Sequence, residues 1–125
     1  MAQAHRDIGD THMMLWSEEV TPGVTKITLS GRMDIAGVQE IDLPFNVLIG
    51  AQRALIIDLS EVAFIASMGL RTLLKGASAV AAKGGKIALW RPIPEVANVL
   101  EISGISALVP IVEELEAAIR AVSVE

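Results

Sequence analysis

Few residues of this chain are placed to do chemistry, and Ser67 is the first of them. It stands at the start of a helical stretch, in Phe64-Ile65-Ala66-Ser67-Met68-Gly69-Leu70. Serine suits a helix N-cap, because its hydroxyl can accept an otherwise free amide. The same hydroxyl is a candidate phosphoacceptor. A phosphate there meets free amides and the positive end of the helix dipole. It also brings roughly two negative charges to the surface, enough to expel an acidic partner.

The other candidates are weaker. Asp34 reads as the N-cap of an earlier helix, and Asp58 as the polar end of a buried strand. The two can be imagined as an acid and base, but no third group suggests a substrate. His5 and His12, with Asp7 and Asp10, offer metal-type side chains. They lie in a polar stretch with no ordering signal, so no metal site is expected. No phosphate-binding glycine loop, dinucleotide fingerprint or nucleophile elbow is present, so no cofactor and no enzyme activity are expected.

Composition excludes further classes. The chain has 125 residues and a formal net charge of -5, with ten Lys and Arg scattered singly. A nucleic-acid partner wants a basic face, and so does an anionic lipid surface. Only 3% of residues are aromatic, which disfavours sugar- or base-stacking sites. Without cysteine there are no disulfides, thiolate metal sites or Cys nucleophiles, and a reducing cytoplasm is the simple expectation. No stretch is long and apolar enough to span a bilayer.

The elements that must position Ser67 follow from periodicity. Residues 1–12 are polar and read as a frayed tail. Met13 to Val20 predicts a strand, and Thr21-Pro22-Gly23 a turn. From Val24 to Ser30, Thr25, Ile27 and Leu29 alternate with Lys26, Thr28 and Ser30, so a second strand pairs with the first as a hairpin. A helix runs from the Asp34 cap to about Gln52, kinked or split at Pro44. Ala54 to Leu59 is an apolar run suited to a strand buried on both faces. The helix after Ser67 places Leu70, Leu73, Leu74, Ala77 and Ala81 at core spacing, with Gly84-Gly85 ending it. Arg71, Lys75 and Ser78 fall on its exposed stripe, a solvated face or a partner-contact face extending from Ser67. Lys86 to Trp90 is a strand, and Pro92 and Pro94 open a helix that stops at Gly104. Leu108 to Val112 is a last strand. Glu113 to Val122 is a last helix that buries Leu115, Ala118, Ile119 and Val122. Strands alternating with helices predict a single α/β domain over 13–122, with a mixed sheet of four or five strands and about four helices.

In that order and at that spacing, the chain resembles a STAS domain. Gly31-Arg32-Met33-Asp34 is similar to the family's Gly-Glu-Leu-Asp, and Ile56-Ile57-Asp58-Leu59-Ser60 to the strand before its signature loop. Phe64 to Leu70 lies where the family writes an apolar pair and then Asp-Ser-Ser/Thr-Gly-Leu. Gly84-Gly85 matches a glycine pair. Leu100-Glu101-Ile102-Ser103-Gly104-Ile105 resembles Leu-Phe-x-x-(Ser/Thr)-Gly-Leu.

The resemblance implies a bacterial anti-sigma factor antagonist. Such a protein binds a kinase-type anti-sigma factor, and phosphorylation of the first signature serine, here Ser67, separates the pair. It implies partner contacts near Asp34, Ser67, Met68 and Gly69, and Arg71 and Lys75 continue that surface. A homodimer is compatible with it. Two positions depart from the signature: its Asp is Ala66, and its second Ser/Thr is Met68. Both changes suit the alternative role, an accessory subunit of a membrane transporter such as a phospholipid-transport complex, which needs no phosphorylation.

Overall fold

A computed structural model describes residues 13–123, and the expected tail, 1–12, lies outside them. The alternation in the first strands folds as predicted. β1 (Met14–Thr21) and β2 (Val24–Met33) pair antiparallel across a turn in which Gly23 has φ +83°. Then follow α1 (Ile35–Ala51), β3 (Ala54–Ile65), α2 (Ser67–Ala82), β4 (Lys86–Trp90), α3 (Pro94–Ser103), a 3-10 turn (Ile105–Ala107), β5 (Ile111–Val112) and α4 (Leu115–Val122). The sheet order is β1-β2-β3-β4-β5, and all pairs after the hairpin are parallel.

The two faces of the sheet bury different residues. Ile27, Leu29, Leu55, Ile57, Leu59, Ile87 and Leu89 form one core with Phe45 of α1, Leu73 of α2 and Leu100 of α3. Val24, Ala54, Ile56, Ala88 and Trp90 form the other, under Ala118 and Val122 of α4. Strands buried on both faces are what the unbroken apolar run in β3 required. Among the described residues, no helix is long and apolar enough to cross a membrane.

Four expectations need correction. First, α1 is not split at Pro44 but is one helix that contains it. An interior proline costs about 3 kcal/mol, but Ile41, Phe45 and Ile49 are buried around it, each contributing roughly 1.5–3 kcal/mol. Second, α2 buries Gly69, Leu73, Gly76 and Val80, while Leu74 and Ala81 are exposed. Glycine carries no hydrophobic signal, yet Gly76 is where α2 meets α1: a Cβ there would lie 3.1 Å from Ile49 Cδ1. Third, β3 does not end at Asp58 but runs on to Ile65. Fourth, β5 has only two residues, because Leu108 and Val109 fold back with their amides on the Ile105 carbonyl instead of extending.

The extension of β3 matters most. Up to Asp58 the strand is flanked by β2 and β4, and beyond it only by β2. Thr28 pairs with Asp58 but Ser30 with Glu61, and Gly31 pairs with Val62 but Arg32 with Phe64. Each shift places one extra residue in β3, the signature of a bulge, which bends and twists a strand.

Candidate functional site

The last rung of the β2–β3 ladder builds the site. Met33 pairs with Ile65, and the Ala66 amide donates to the Met33 carbonyl at 3.1 Å. Asp34 and Ala66 therefore end adjacent parallel strands, and each opens a helix. Both have the same extended backbone, φ -100° and -110°. Glycine stands three residues on in both helices, and neither could carry a side chain unmoved. A Cβ on Gly37 would lie 2.7 Å from Met13 Cγ. One on Gly69 would lie 2.8 Å from Ile65 Cγ1 and 2.9 Å from the Met33 carbonyl.

The two helix starts differ in their caps. Asp34 Oδ1 accepts from the Gly37 amide at 2.9 Å, as the sequence predicts. Its Oδ2 lies 3.5 Å from Arg32 Nε. The Gly37 hydrogen bond first, and Arg32 beside it, hold the carboxyl below its ordinary range. At α2 the cap is Ala66, which has no side chain to offer. Ser67 is the first helical residue, not the cap. Its side chain is exposed, and its hydroxyl makes no hydrogen bond among the described residues.

Around Ser67 the surface is apolar and locally cationic. Ile35, Ala66, Ser67, Met68 and Arg71 line a shallow depression of about 390 Å³. Next to it, Met68, Arg71 and Lys75 share a groove of about 270 Å³ with Val38, Gln39, Asp42 and Thr72. Met68 is half-buried against the core rather than fully exposed. Gly69 is buried, so its part is to let α2 approach β2, with the Met33 carbonyl as the closest backbone. Of the six residues expected at a contact surface, the two depressions bring Ser67, Met68, Arg71 and Lys75 together. Asp34 adjoins them through Ile35, and Gly69 lies beneath.

Ile35 was missed as a surface residue. It is 60% exposed. Periodicity conceals it: Ile35 continues the spacing of Val38, Ile41, Phe45 and Ile49, yet as the first residue of α1 it lies beyond the core that covers them. Arg32 was missed too. Its guanidinium lies 4.2 Å from the Phe64 ring while pairing with Asp34.

Asp58 supports the scaffold from the other face. It is 2% exposed and accepts from the Ser60 amide at 3.0 Å and from Arg91 Nε and Nη2 at 3.3 and 3.2 Å. Burial pushes its pKa up, but Arg91 and Ser60 outweigh burial and leave it lowered. Arg91 has φ +44° and stacks 4.1 Å over Trp90. Buried and held by three donors, this carboxylate braces β3 against Arg91. Among the described residues, no cluster of three or more His, Cys, Asp or Glu could hold a metal ion.

Comparison with known proteins agrees with this arrangement. The profile of the STAS domain matches residues 16–118. A protein provisionally named anti-sigma factor antagonist BtrV, from Bordetella bronchiseptica, is 28% identical over 100 residues, covering 79% of this chain and 86% of its own. The crystal structure of an anti-sigma factor antagonist from Mycobacterium paratuberculosis superposes with a TM-score of 0.75 at 25% identity, covering 92% of this chain and 97% of that one. Unphosphorylated SpoIIAA of Bacillus gives a TM-score of 0.70 at 28% identity, over 86% of this chain and 95% of its own. Phosphorylated SpoIIAA gives 0.65 at 27%, over 86% and 98%. With a matching profile over most of its length, and with the five-stranded sheet and paired helix starts in place, this chain belongs to the STAS domain family.

Proposed function

We propose that this protein is an anti-sigma factor antagonist that binds a kinase-type anti-sigma factor through the face around Ser67 and is released when Ser67 is phosphorylated. The observation that carries the reading is the exposed, unbonded Ser67 hydroxyl on an apolar depression beside the Asp34 cap. The names of the relatives support it, as does the existence of SpoIIAA in both phosphorylated and unphosphorylated forms. On this reading the protein acts in the cytoplasm, where sigma factors are held and freed.

In the switch, the kinase transfers the γ-phosphoryl group of ATP to Ser67 Oγ. The P–O bond to Oγ forms as the bond to ADP breaks, and the hydroxyl proton passes to a base in the kinase. Ala66 offers no carboxylate to orient that hydroxyl. Positioning contributes several kcal/mol to phosphoryl transfer, so the reaction is slow, and Ala66→Asp accelerates it.

The test begins with capture of the partner from native cells and its identification by mass spectrometry. Incubation with that partner and ATP follows. A kinase-type anti-sigma factor as partner, phosphate on Ser67, and loss of binding by Ser67→Asp support the reading. A transport ATPase as partner favours the accessory-subunit role. Phosphate elsewhere, or undiminished binding by Ser67→Asp, overturns the switch.

A further inference from the structure

The chain is acidic overall, yet the face around Ser67 is not. Of the charged residues gathered there, Arg32 and Asp34 are paired to each other, while Arg71 and Lys75 have no ion-pair partner among the described residues. Both are exposed. One carboxylate, Asp42, shares the second groove with them, and its Oδ1 accepts from Asn46 Nδ2 at 3.1 Å.

Arg71 follows Ser67 by one helical turn, and the two line the same depression. Residues four apart on a helix are surface neighbours, with Cβ atoms about 6 Å apart. A guanidinium on a long side chain spans that gap to a phosphate on Ser67 and matches its oxygens with two parallel N–H donors. Lys75 lies two turns from Ser67, about 12 Å along the axis, and cannot.

We propose that Arg71 couples modification to release: in the unmodified protein it is free to pair with a carboxylate on the partner, and in the phosphorylated protein it clamps the phosphoserine at 67 and is withdrawn. This rests on the proposed function for the partner, but the clamp itself is a property of this chain alone. It differs from simple repulsion. Repulsion adds a charge that the partner must tolerate, whereas the clamp also removes a donor that the partner needs.

The clamp is tested without any partner. Phosphoserine is installed at position 67 by genetic encoding, and its second ionisation is followed by ³¹P NMR as a function of pH. A cation in contact favours the dianion, so the midpoint in the parent falls below the ordinary value of about 6. In Arg71→Gln it rises by about half a unit or more. Lys75→Gln, which alters the charge equally but lies out of reach, leaves it at the parent value. Circular dichroism confirms that each variant is folded.

With the captured anti-sigma factor, Arg71→Gln is expected to weaken the unmodified complex about tenfold and to narrow the gap in affinity between phosphorylated and unphosphorylated forms. Identical ³¹P titrations in parent and Arg71→Gln overturn the clamp even if Ser67 phosphorylation releases the partner. An affinity gap unchanged by Arg71→Gln overturns the coupling even if the clamp forms. If no anti-sigma factor binds at all, the proposed function fails, while the titration still decides the clamp.

Discussion

Replacing Gly69 with alanine is the sharpest trial of how the two helix starts are held. A methyl group there meets Ile65 Cγ1 and Met33 Cβ at 2.8 Å and the Met33 carbonyl at 2.9 Å. The carbonyl is backbone and already accepts from the Ala66 amide, so it cannot step aside without opening the last rung of the ladder. Overpacking of this kind costs about 1–3 kcal/mol, and loss of the hydrogen bond adds about 1 kcal/mol. Alanine returns at most about 1 kcal/mol of helix propensity. The net expectation is a loss of about 1–3 kcal/mol, or roughly 4–12 °C in Tm for a domain of this size. Gly50→Ala is the matched control, because it too lies in a helix but has nothing within 4 Å of its Cβ. It should gain up to about 1 kcal/mol. Urea unfolding of both variants, followed by circular dichroism, measures the difference. A Gly69→Ala variant as stable as the parent would refute the close-approach argument, and with it the account of why Ser67 sits where it does.

Two further outcomes follow from charged groups. Asp58→Asn removes one partner of a buried pair whose other member, Arg91, is half exposed, and should cost about 2 kcal/mol at pH 7. Because the Asp58 pKa is lowered on folding, its contribution is present above the unfolded value of about 3.9 and is lost as pH falls through the folded value. The stability gap between parent and variant should therefore shrink as pH falls below about 4, and a gap independent of pH in urea titrations would remove the ion pair as its cause. Lys83 Nζ donates to the carbonyls of Ile49, Gly50 and Gln52 at 2.5, 2.9 and 2.9 Å. Lys83→Met should expose the negative end of α1 and cost about 1 kcal/mol, read as a Tm about 4 °C lower by calorimetry, and an unchanged Tm would mean that solvent serves those carbonyls equally well.

The order of elements was legible in the sequence because strand and helix periods differ and because Asp34, Pro94 and Gly104 mark boundaries by mechanisms that act locally. What escaped was decided by contacts across the chain. The burial of Gly69 and Gly76 depends on the approach of β2 and α1, and glycine has no hydrophobicity to reveal it. The continuity of α1 through Pro44 depends on Phe45 and Ile49 being covered by α2. The length of β3 depends on pairing with β2, which outlasts pairing with β4, and no local feature of Ser60 to Ile65 announces that. At the site, Ser67, Met68, Arg71 and Lys75 were readable as neighbours on one helix, whereas Ile35 enters through the β2–β3 ladder and Arg32 through its contacts with Asp34 and Phe64.

Strand order in the sheet is also chain order, and this has a consequence for how the protein is made. Each parallel pairing closes across one intervening helix, as Thr25 with Leu55 and Ala54 with Lys86, so each strand docks on the one that precedes it in the chain, at the cost of closing a loop, about 30 residues long in these two. The strand order therefore lets the sheet grow at a single edge in the order of synthesis, each addition being one helix and one strand. Asp34 and Ser67 are brought together when β3 closes on β2, before β4 need exist. The rest of the chain supplies α4 to cover the second face and finishes the growing edge with a strand of two residues, too short to template pairing with a neighbouring chain.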